Sequence, residues 1–421
     1  MKKYKVAVIG LGYVGLPLAL LISKKGHDVV GIARNKEKLE LIRNGISPIT
    51  DKRVASELKS TRLTVTDQFD VLSNVEVIVI CVPTPINEDN SPDYTFIISA
   101  CENIGKFLKK DQLVTIESTV NPGTTEEIII PILEKKSLLK AGSEFFIAHV
   151  PERLNPGDEV WHVGNIPRIA GAINTESLNE ALLFYQSFID AEVFPMTSLK
   201  EAEAVKIVEN CFRDINIAFV NELAMSFSHL GINLMNVIKG ASTKPFAFLA
   251  HYPGCGVGGH CIPVDPYYLI NYAGKNGFNY EFLLAARKIN NNMPKFTVDL
   301  LMKAIKETSL NKKKIKVCIL GLTYKPNIND TRESPSFKIL SILENGGVAV
   351  TTYDPFITKD SLDNALEGAQ AVIIATAHNE FKSIKPEYFI KKGIKIIIDG
   401  RNCLDFETYT KSSLVYKGIG C

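Results

Sequence analysis

Cysteine pairs are missing from this chain. Its eight cysteines, Cys81, Cys101, Cys211, Cys255, Cys261, Cys318, Cys403 and Cys421, are scattered over 421 residues, and none forms a C-x-x-C unit. Spacing of that kind argues against a disulfide framework and suits reduced thiols in a cytoplasmic protein better. No uninterrupted run of about 18 apolar residues occurs, so no membrane-spanning helix is expected. The start, Met1-Lys2-Lys3 before Val6–Ile9, superficially resembles a signal peptide. Gly10, Gly12 and Gly15 interrupt it, and no clear cleavage site follows. Long blocks of one charge are also lacking, with 48 basic residues against 46 acidic. That balance excludes a nucleic-acid surface or a polybasic membrane patch, while leaving room for a few local cations around an anionic ligand. No metal site is expected.

What is present is ordinary for a globular protein, with 46% hydrophobic and 22% charged residues. The length calls for two or three domains. Short β-branched runs alternate with helical patterns through the first half, which predicts a parallel sheet covered by helices. The strand candidates are Val6–Ile9, Val29–Ile32, Val77–Val82, Leu113–Glu117 and Phe145–Val150. Glu201–Leu230 contains neither Gly nor Pro and has helical spacing, predicting one long helix that serves as a connector or a dimerisation spine. The alternation then resumes with Lys316–Leu320, Val348–Tyr353, Ala371–Ala375 and Ile394–Ile398. The expected fold is α/β, with two Rossmann-like parallel-sheet domains joined by a helical domain. Residues 1–197 form the first, 198–310 the helical part and 311–421 the last.

Gly10-Leu11-Gly12-Tyr13-Val14-Gly15 fits G-x-G-x-x-G, directly after a strand and opening a helix. In that setting Gly10 permits the tight turn, Gly12 admits a pyrophosphate and Gly15 lets helix and strand pack closely. An acidic residue that binds the adenosine ribose is expected about 20 residues on. The chain reads Ala33-Arg34-Asn35 there. Arg34 could pair with a 2′-phosphate, or be solvated while Asn35 contacts the ribose. NAD is favoured, and NADP stays open. The second sheet has Gly321-Leu322-Thr323-Tyr324 in the matching turn, which is no dinucleotide fingerprint. Fold analogy suggests another ligand with a nucleotide or phosphate part.

Pro253–Pro266 reads PGCGVGGHCIPVDP, with four glycines ahead of Cys261 and Asp265 four residues after it. Glycine-rich backbone can wrap a ligand while presenting one thiol, and a thiolate can attack an aldehyde or carry an acyl group. The remaining cysteines mostly lie in apolar patterns that suit buried, inert thiols. His260 could tune the Cys261 thiol or hydrogen-bond backbone. Lys206 and Asn210 share one face of the long helix. They could steady an oxyanion and orient a water, or form a solvated polar face.

The segments KVAVIGLGYVGLPLA, CVPTP, ESTVNPGT, EAVKIVENCFRDINIAFVNE, GVGGHCIPVD and LTYKPNINDTRESPS resemble the UDP-glucose/GDP-mannose dehydrogenase family over essentially the whole chain. The resemblance implies a four-electron oxidation of a nucleotide sugar at C6, through a cysteine thiohemiacetal and thioester. By this similarity Cys261 is the nucleophile, with Lys206, Asp265 and Asn210 around a water and the substrate. Thr119 and Glu152 match the other polar positions of the family's active site. Gly10, Gly12, Tyr13, Val14, Gly15, Arg34, Thr84 and Thr119 are expected at the cofactor. Glu152, Arg153, Lys206, Asn210, Arg213, Gly258, Lys325 and Arg332 are expected at the UDP-sugar, the last two as cations. Relatives assemble through the long helix, so a homodimer or larger form is expected.

The segment Pro151-Glu152-Arg153-Leu154-Asn155-Pro156-Gly157 carries Pro156 where glucose-specific relatives have a second glutamate. Together with TKPFAFLAHYPG, it resembles the UDP-N-acetylhexosamine branch of surface-polysaccharide pathways. UDP-N-acetylglucosamine is favoured over UDP-N-acetylmannosamine and UDP-glucose. Cys255 stands where relatives often have proline, and it could oxidise with Cys261 or be neutral. Two other classes compete: a two-electron hydroxyacid dehydrogenase and a non-catalytic nucleotide-sugar-binding protein. The first needs neither Cys261 nor a second sheet, and the second would tolerate loss of Cys261, Lys206 or Asp265, which are all present.

Overall fold

The computed structural model of the chain describes residues 2–49, 51–154, 160–308, 310 and 315–421. It divides into two compact units, Met1–Glu209 with Tyr267–Phe278, and Asn210–Pro266 with Asn279–Cys421.

The first unit is built on strands β1 (Lys5–Ile9), β2 (Asp28–Ile32), β3 (Thr64–Thr66), β4 (Val77–Ile80), β5 (Leu113–Ile116), β6 (Phe146–His149), β7 (Arg168–Ala172) and β8 (Val193–Pro195). Their order in the sheet is β3-β2-β1-β4-β5-β6-β7-β8. Neighbours run parallel except β6 and β7. Side chains alternate across each strand, so Val6 and Val8 enter one apolar core while Ala7 and Ile9 enter the core on the opposite face. Burial on both faces explains why these strands read as continuous apolar runs. Central β1 pairs with β2 on one side and β4 on the other, with Val6 opposite both Val29 and Val77. The chain reverses direction across the sheet there, and in such sheets ligands bind at the carboxyl ends of the strands beside that point.

The second unit holds β9 (Lys316–Leu320), β10 (Ala349–Tyr353), β11 (Ala371–Ile374), β12 (Ile396–Asp399) and β13 (Val415–Gly418), all parallel, in the order β10-β9-β11-β12-β13. Helix Glu281–Lys306 shares one core with this sheet, where Leu301 and Ile305 join Val317, Ile319 and Ile396. The last sheet and much of the expected helical region therefore fold as one compact body.

The long helix spans Leu199–Leu230, two residues longer at its start than expected. It begins in the first unit and continues into the second, which makes it the connector that its length implied. Glu203 anchors its first turns, since the buried carboxylate accepts the amides of Gly123 at 2.6 Å and Thr125 at 2.8 Å. Among the described residues no helix is long and apolar enough to cross a membrane, and no cluster of metal-ligating side chains occurs.

Candidate active site

The glycine turn after β1 has the geometry its sequence requires. Gly10 sits at φ +96°, and a Cβ there would stand 2.5 Å from the Cys81 carbonyl oxygen. A Cβ on Gly15 would lie 1.9 Å from the Gly10 carbonyl oxygen, so helix and strand meet at backbone distance. Gly12 faces open space, with nothing within 4 Å of its would-be Cβ. That opening, flanked by Tyr13 and Val14, is where a pyrophosphate would approach. Helix Gly15–Lys24 starts without a side-chain cap, which directs its N-terminal dipole at a bound anion. These residues fit a dinucleotide.

Two further cofactor candidates meet at the ends of β4 and β5. The Thr84 hydroxyl donates to the Thr119 carbonyl at 2.6 Å. Tyr268, which sequence reasoning passed over, donates its hydroxyl to the Thr84 carbonyl. At the end of β2, exposed Arg34 donates to the Ser99 hydroxyl at 2.6 Å. The Asn35 side-chain oxygen accepts the Lys38 amide at 2.8 Å and caps helix Lys36–Arg43. That oxygen already has a structural task, whereas Arg34 is the side chain presented at the strand end.

Glu152 and Lys206 are brought together in the first unit. Both are buried, with Nζ 4.0 Å from Oε2. Burial pushes the Glu152 carboxyl up, Lys206 and Arg168 draw it down, and Glu117 and Glu209 push it up again. Neighbouring Arg153 is engaged elsewhere, ion-paired with Glu209 and donating to the Pro167 carbonyl at 3.1 Å. Pro156 and its neighbours Asn155 and Gly157 lie outside the described residues.

In the second unit the cysteine loop is folded onto the segment after β9. A Cβ on Gly258 would stand 2.8 Å from both the Glu333 carbonyl oxygen and Tyr324 Cβ. Gly259, at φ +89°, lies flat against the Tyr324 ring and donates its amide to the Arg332 carbonyl at 3.0 Å. The glycines are therefore packing requirements that place the next turn. The Cys261 carbonyl accepts the amides of Val264 at 3.0 Å and Asp265 at 2.8 Å, so the cysteine lies in the turn that opens helix Asp265–Lys275. Asp265 is buried, and its carboxylate accepts from the Asn210 side chain at 2.5 Å. Arg213, farther along the long helix, is exposed.

Cys261 is the one exposed cysteine of the eight. Burial pushes the thiols of Cys101 and Cys211 up to about 12 and that of Cys318 up to about 11. Cys255 is fully buried in the core, its sulfur 3.6 Å from the Gly400 carbonyl oxygen, with Gly400 making room for it. That setting supports the neutral reading of Cys255 over a partner for Cys261. Burial first, and the Arg332 charge second, hold His260 below the ordinary histidine range. A neutral imidazole brings no positive charge to the thiol. Arg332 does interact electrostatically with Cys261. Its guanidinium is also clamped on Asp330, with Nη2 2.6 Å from Oδ2.

The turn after β9 is occupied from within. The amides of Leu322 and Thr323 donate to Asp354 at 2.7 and 2.9 Å, and His378 Nε2 lies 3.0 Å from the same oxygen. Burial pushes that carboxyl up, but the His378 and backbone bonds outweigh it and hold Asp354 well below the usual carboxylate range. An internal carboxylate thus takes the place of a phosphate at this turn. Lys325, half-buried, and Arg332 lie a few residues beyond it.

A dinucleotide turn at a sheet's switch point, with a buried carboxylate–lysine pair in the same unit, fits a dinucleotide-linked oxidoreductase. Residues 4–189 match the NAD binding domain of the UDP-glucose/GDP-mannose dehydrogenase family, 200–292 its central domain and 318–406 its UDP binding domain. The UDP-N-acetyl-D-mannosamine dehydrogenase of Pyrococcus horikoshii is 38% identical over 423 residues, covering 99% of each chain. A UDP-N-acetyl-D-glucosamine 6-dehydrogenase of Pseudomonas aeruginosa is 38% identical over 403 residues, covering 93% of this chain and 95% of its own. Solved structures agree: the Pyrococcus horikoshii UDP-D-ManNAc dehydrogenase superposes with a TM-score of 0.93 at 38% identity, covering 99% of each chain. The Staphylococcus aureus UDP-N-acetyl-mannosamine dehydrogenase Cap5O does so with 0.84 at 33%, covering 99% of this chain and 98% of its own. The chain belongs to the UDP-glucose/GDP-mannose dehydrogenase family.

Proposed function

We propose that this protein oxidises C6 of a UDP-N-acetylhexosamine to the uronic acid, with Cys261 holding the half-oxidised sugar. The observation that carries the reading is one exposed thiol, which follows closely on glycines packed against Tyr324 and the Glu333 carbonyl. Two molecules of NAD, bound in turn, would be held by the Gly10–Gly15 turn with Thr84 and Thr119 and would accept one hydride each, the first from C6 of the alcohol and the second from C6 of the thiohemiacetal. The Cys261 thiolate adds to the C6 aldehyde, forming a C–S bond and leaving an oxyanion that Lys206 steadies as a cation. Oxidation of this thiohemiacetal leaves a thioester. Asp265, oriented by Asn210, takes a proton from the attacking water; the C–S bond breaks, the acid departs and the thiol is restored. Glu152 lies beside Lys206 to share in these proton transfers. Gly258, Arg153, Arg213, Lys325 and Arg332 contribute to binding the UDP-sugar, the cations by charge.

UDP-N-acetylglucosamine is the first substrate to try, on the PER segment and the TKPFAFLAHYPG stretch. Relatives named for the glucosamine and for the mannosamine are equally similar in identity, which makes UDP-N-acetylmannosamine the second. We assign the product to surface-polysaccharide synthesis, the long helix to self-association, and the division near residues 198 and 310 to three functional parts. Cys261→Ser tests the reading: it should bind UDP-sugar as the parent does and make no acid beyond a slowly hydrolysed ester. Unchanged turnover would remove the thioester from the mechanism.

A further inference from the structure

Two buried side chains of the second unit have no part in the proposed chemistry, yet they frame a residue that does. Strands β10 and β11 flank β9 on opposite sides, so the chain changes direction across the sheet at β9. In such sheets ligands bind beside the carboxyl ends of the strands at that point. Asp354 directly follows β10, His378 lies a few residues past β11, and both are fully buried. The His378 Nδ1 accepts the Asn327 amide at 3.0 Å. A backbone amide only donates, so the ring proton sits on Nε2, which lies 3.0 Å from the Asp354 carboxylate. The ring stacks on Phe356, with centroids 5.2 Å apart, and meets Phe381 edge-on at 5.4 Å.

This pair grips the turn from Thr323 to Asn327 at both ends. Asp354 accepts the amides of Leu322 and Thr323, and His378 accepts that of Asn327. Between them lies Lys325, whose own carbonyl accepts the Thr323 hydroxyl at 3.1 Å. That hydroxyl also stands 3.1 Å from His378 Nε2, and the Thr323 carbonyl accepts the Thr376 hydroxyl at 2.5 Å. Asn327 takes the left-handed conformation, at φ +61°, and its side-chain oxygen accepts the Asn379 amide at 3.1 Å. The whole turn lies within the residues that match the family's UDP binding domain. We propose that His378 is a positioning residue for the substrate. Oriented by Asp354, it holds this turn in the conformation in which Lys325 meets the anionic UDP moiety. A turn fixed in advance binds without first having to be ordered. The inference rests on the reading that Lys325 binds the UDP-sugar.

The test is isothermal titration of UDP into the full chain, on variants whose circular dichroism matches the parent. His378→Phe keeps a ring at Phe356 and Phe381 but accepts no hydrogen bond, and should weaken UDP binding by roughly tenfold. His378→Asn, whose side-chain oxygen can stand in for Nδ1, should stay within roughly threefold of the parent. Because His378 acts through Lys325, His378→Phe should weaken binding no further once Lys325→Met is present. Parental affinity in His378→Phe, or losses that add in the double variant, overturn the inference. So does a loss in His378→Asn as large as in His378→Phe, which would assign the effect to a cavity. If His378→Phe does not fold, Thr323→Val decides. It removes only the hydroxyl bonded to the Lys325 carbonyl and should weaken UDP by roughly threefold, and parental affinity there overturns the inference. Lys325→Met alone separates the two claims. Unchanged affinity in it removes the lysine reading and the inference with it, whereas a loss there beside parental affinity in His378→Phe removes the inference alone.

Discussion

The Asn210 side-chain amide donates to the Asp265 carboxylate at 2.5 Å, and both residues are buried. This bond fixes the helix that starts four residues after Cys261 to the long helix. Asp265→Asn removes the proposed base and should lower kcat by roughly 10²-fold or more, the usual loss for a general base. Asn210→Ala should cost less, roughly tenfold, through misorientation of the carboxylate. Steady-state kinetics on variants with parental circular dichroism check both. Full activity in Asp265→Asn would assign the water's proton to another group.

Coenzyme preference should follow Arg34. It ends β2 as an exposed cation bonded to Ser99, where dinucleotide sites commonly place a carboxylate. Arg34→Asp should shift the kcat/KM ratio toward NAD and against NADP by roughly tenfold, since a carboxylate repels the 2′-phosphate that Arg34 can pair with. An unmoved ratio would make Arg34 a surface charge only.

Thiol chemistry should be selective. Iodoacetamide at neutral pH should label Cys261 first and abolish turnover, while Cys255 reacts only on unfolding, because it is walled into the core and burial pushes its thiol up. Peptide mapping of the modified protein reads this directly. Equal labelling of Cys255 in the folded protein would contradict the packing.

His149 should shape acid stability. It closes β6, is fully buried, and among the described residues neither ring nitrogen has a hydrogen-bond partner. Burial pushes it down to about 3 from an ordinary value of 6.5. The folded state therefore resists a proton that the unfolded chain accepts. The stability is fully present above pH 6.5 and is lost as pH falls toward 3, at about 1.4 kcal/mol per pH unit. His149→Leu should flatten that part of the urea-denaturation profile and hold or raise stability near pH 7.5. An unchanged slope would place the acid sensitivity in other groups.

The strands most legible in the sequence are apolar runs without polar interruption, such as β1 and β4. Those that sequence reasoning passed over are β3 and β8, three residues each, β7, which opens on Arg168 and includes Gly171, and the edge strand β13, which carries Lys417 and Gly418. A buried arginine announces itself in no local pattern, because its partner Glu117 lies 51 residues earlier. Cys261 was legible from the glycines around it, although the reason for Gly258 and Gly259 is their packing on Tyr324 and the Glu333 carbonyl, far along the chain and visible only in the fold. Lys206 and Asn210 on helical spacing alone resembled a solvated face. Burial distinguishes them.

The central claim is that one enzyme carries C6 from alcohol to acid without releasing the aldehyde. Its most direct test is the number of nicotinamides reduced per UDP-N-acetylhexosamine consumed, followed at 340 nm with the sugar limiting. The account predicts two, with uronic acid as the product. A value of one, with free aldehyde in solution, would contradict it.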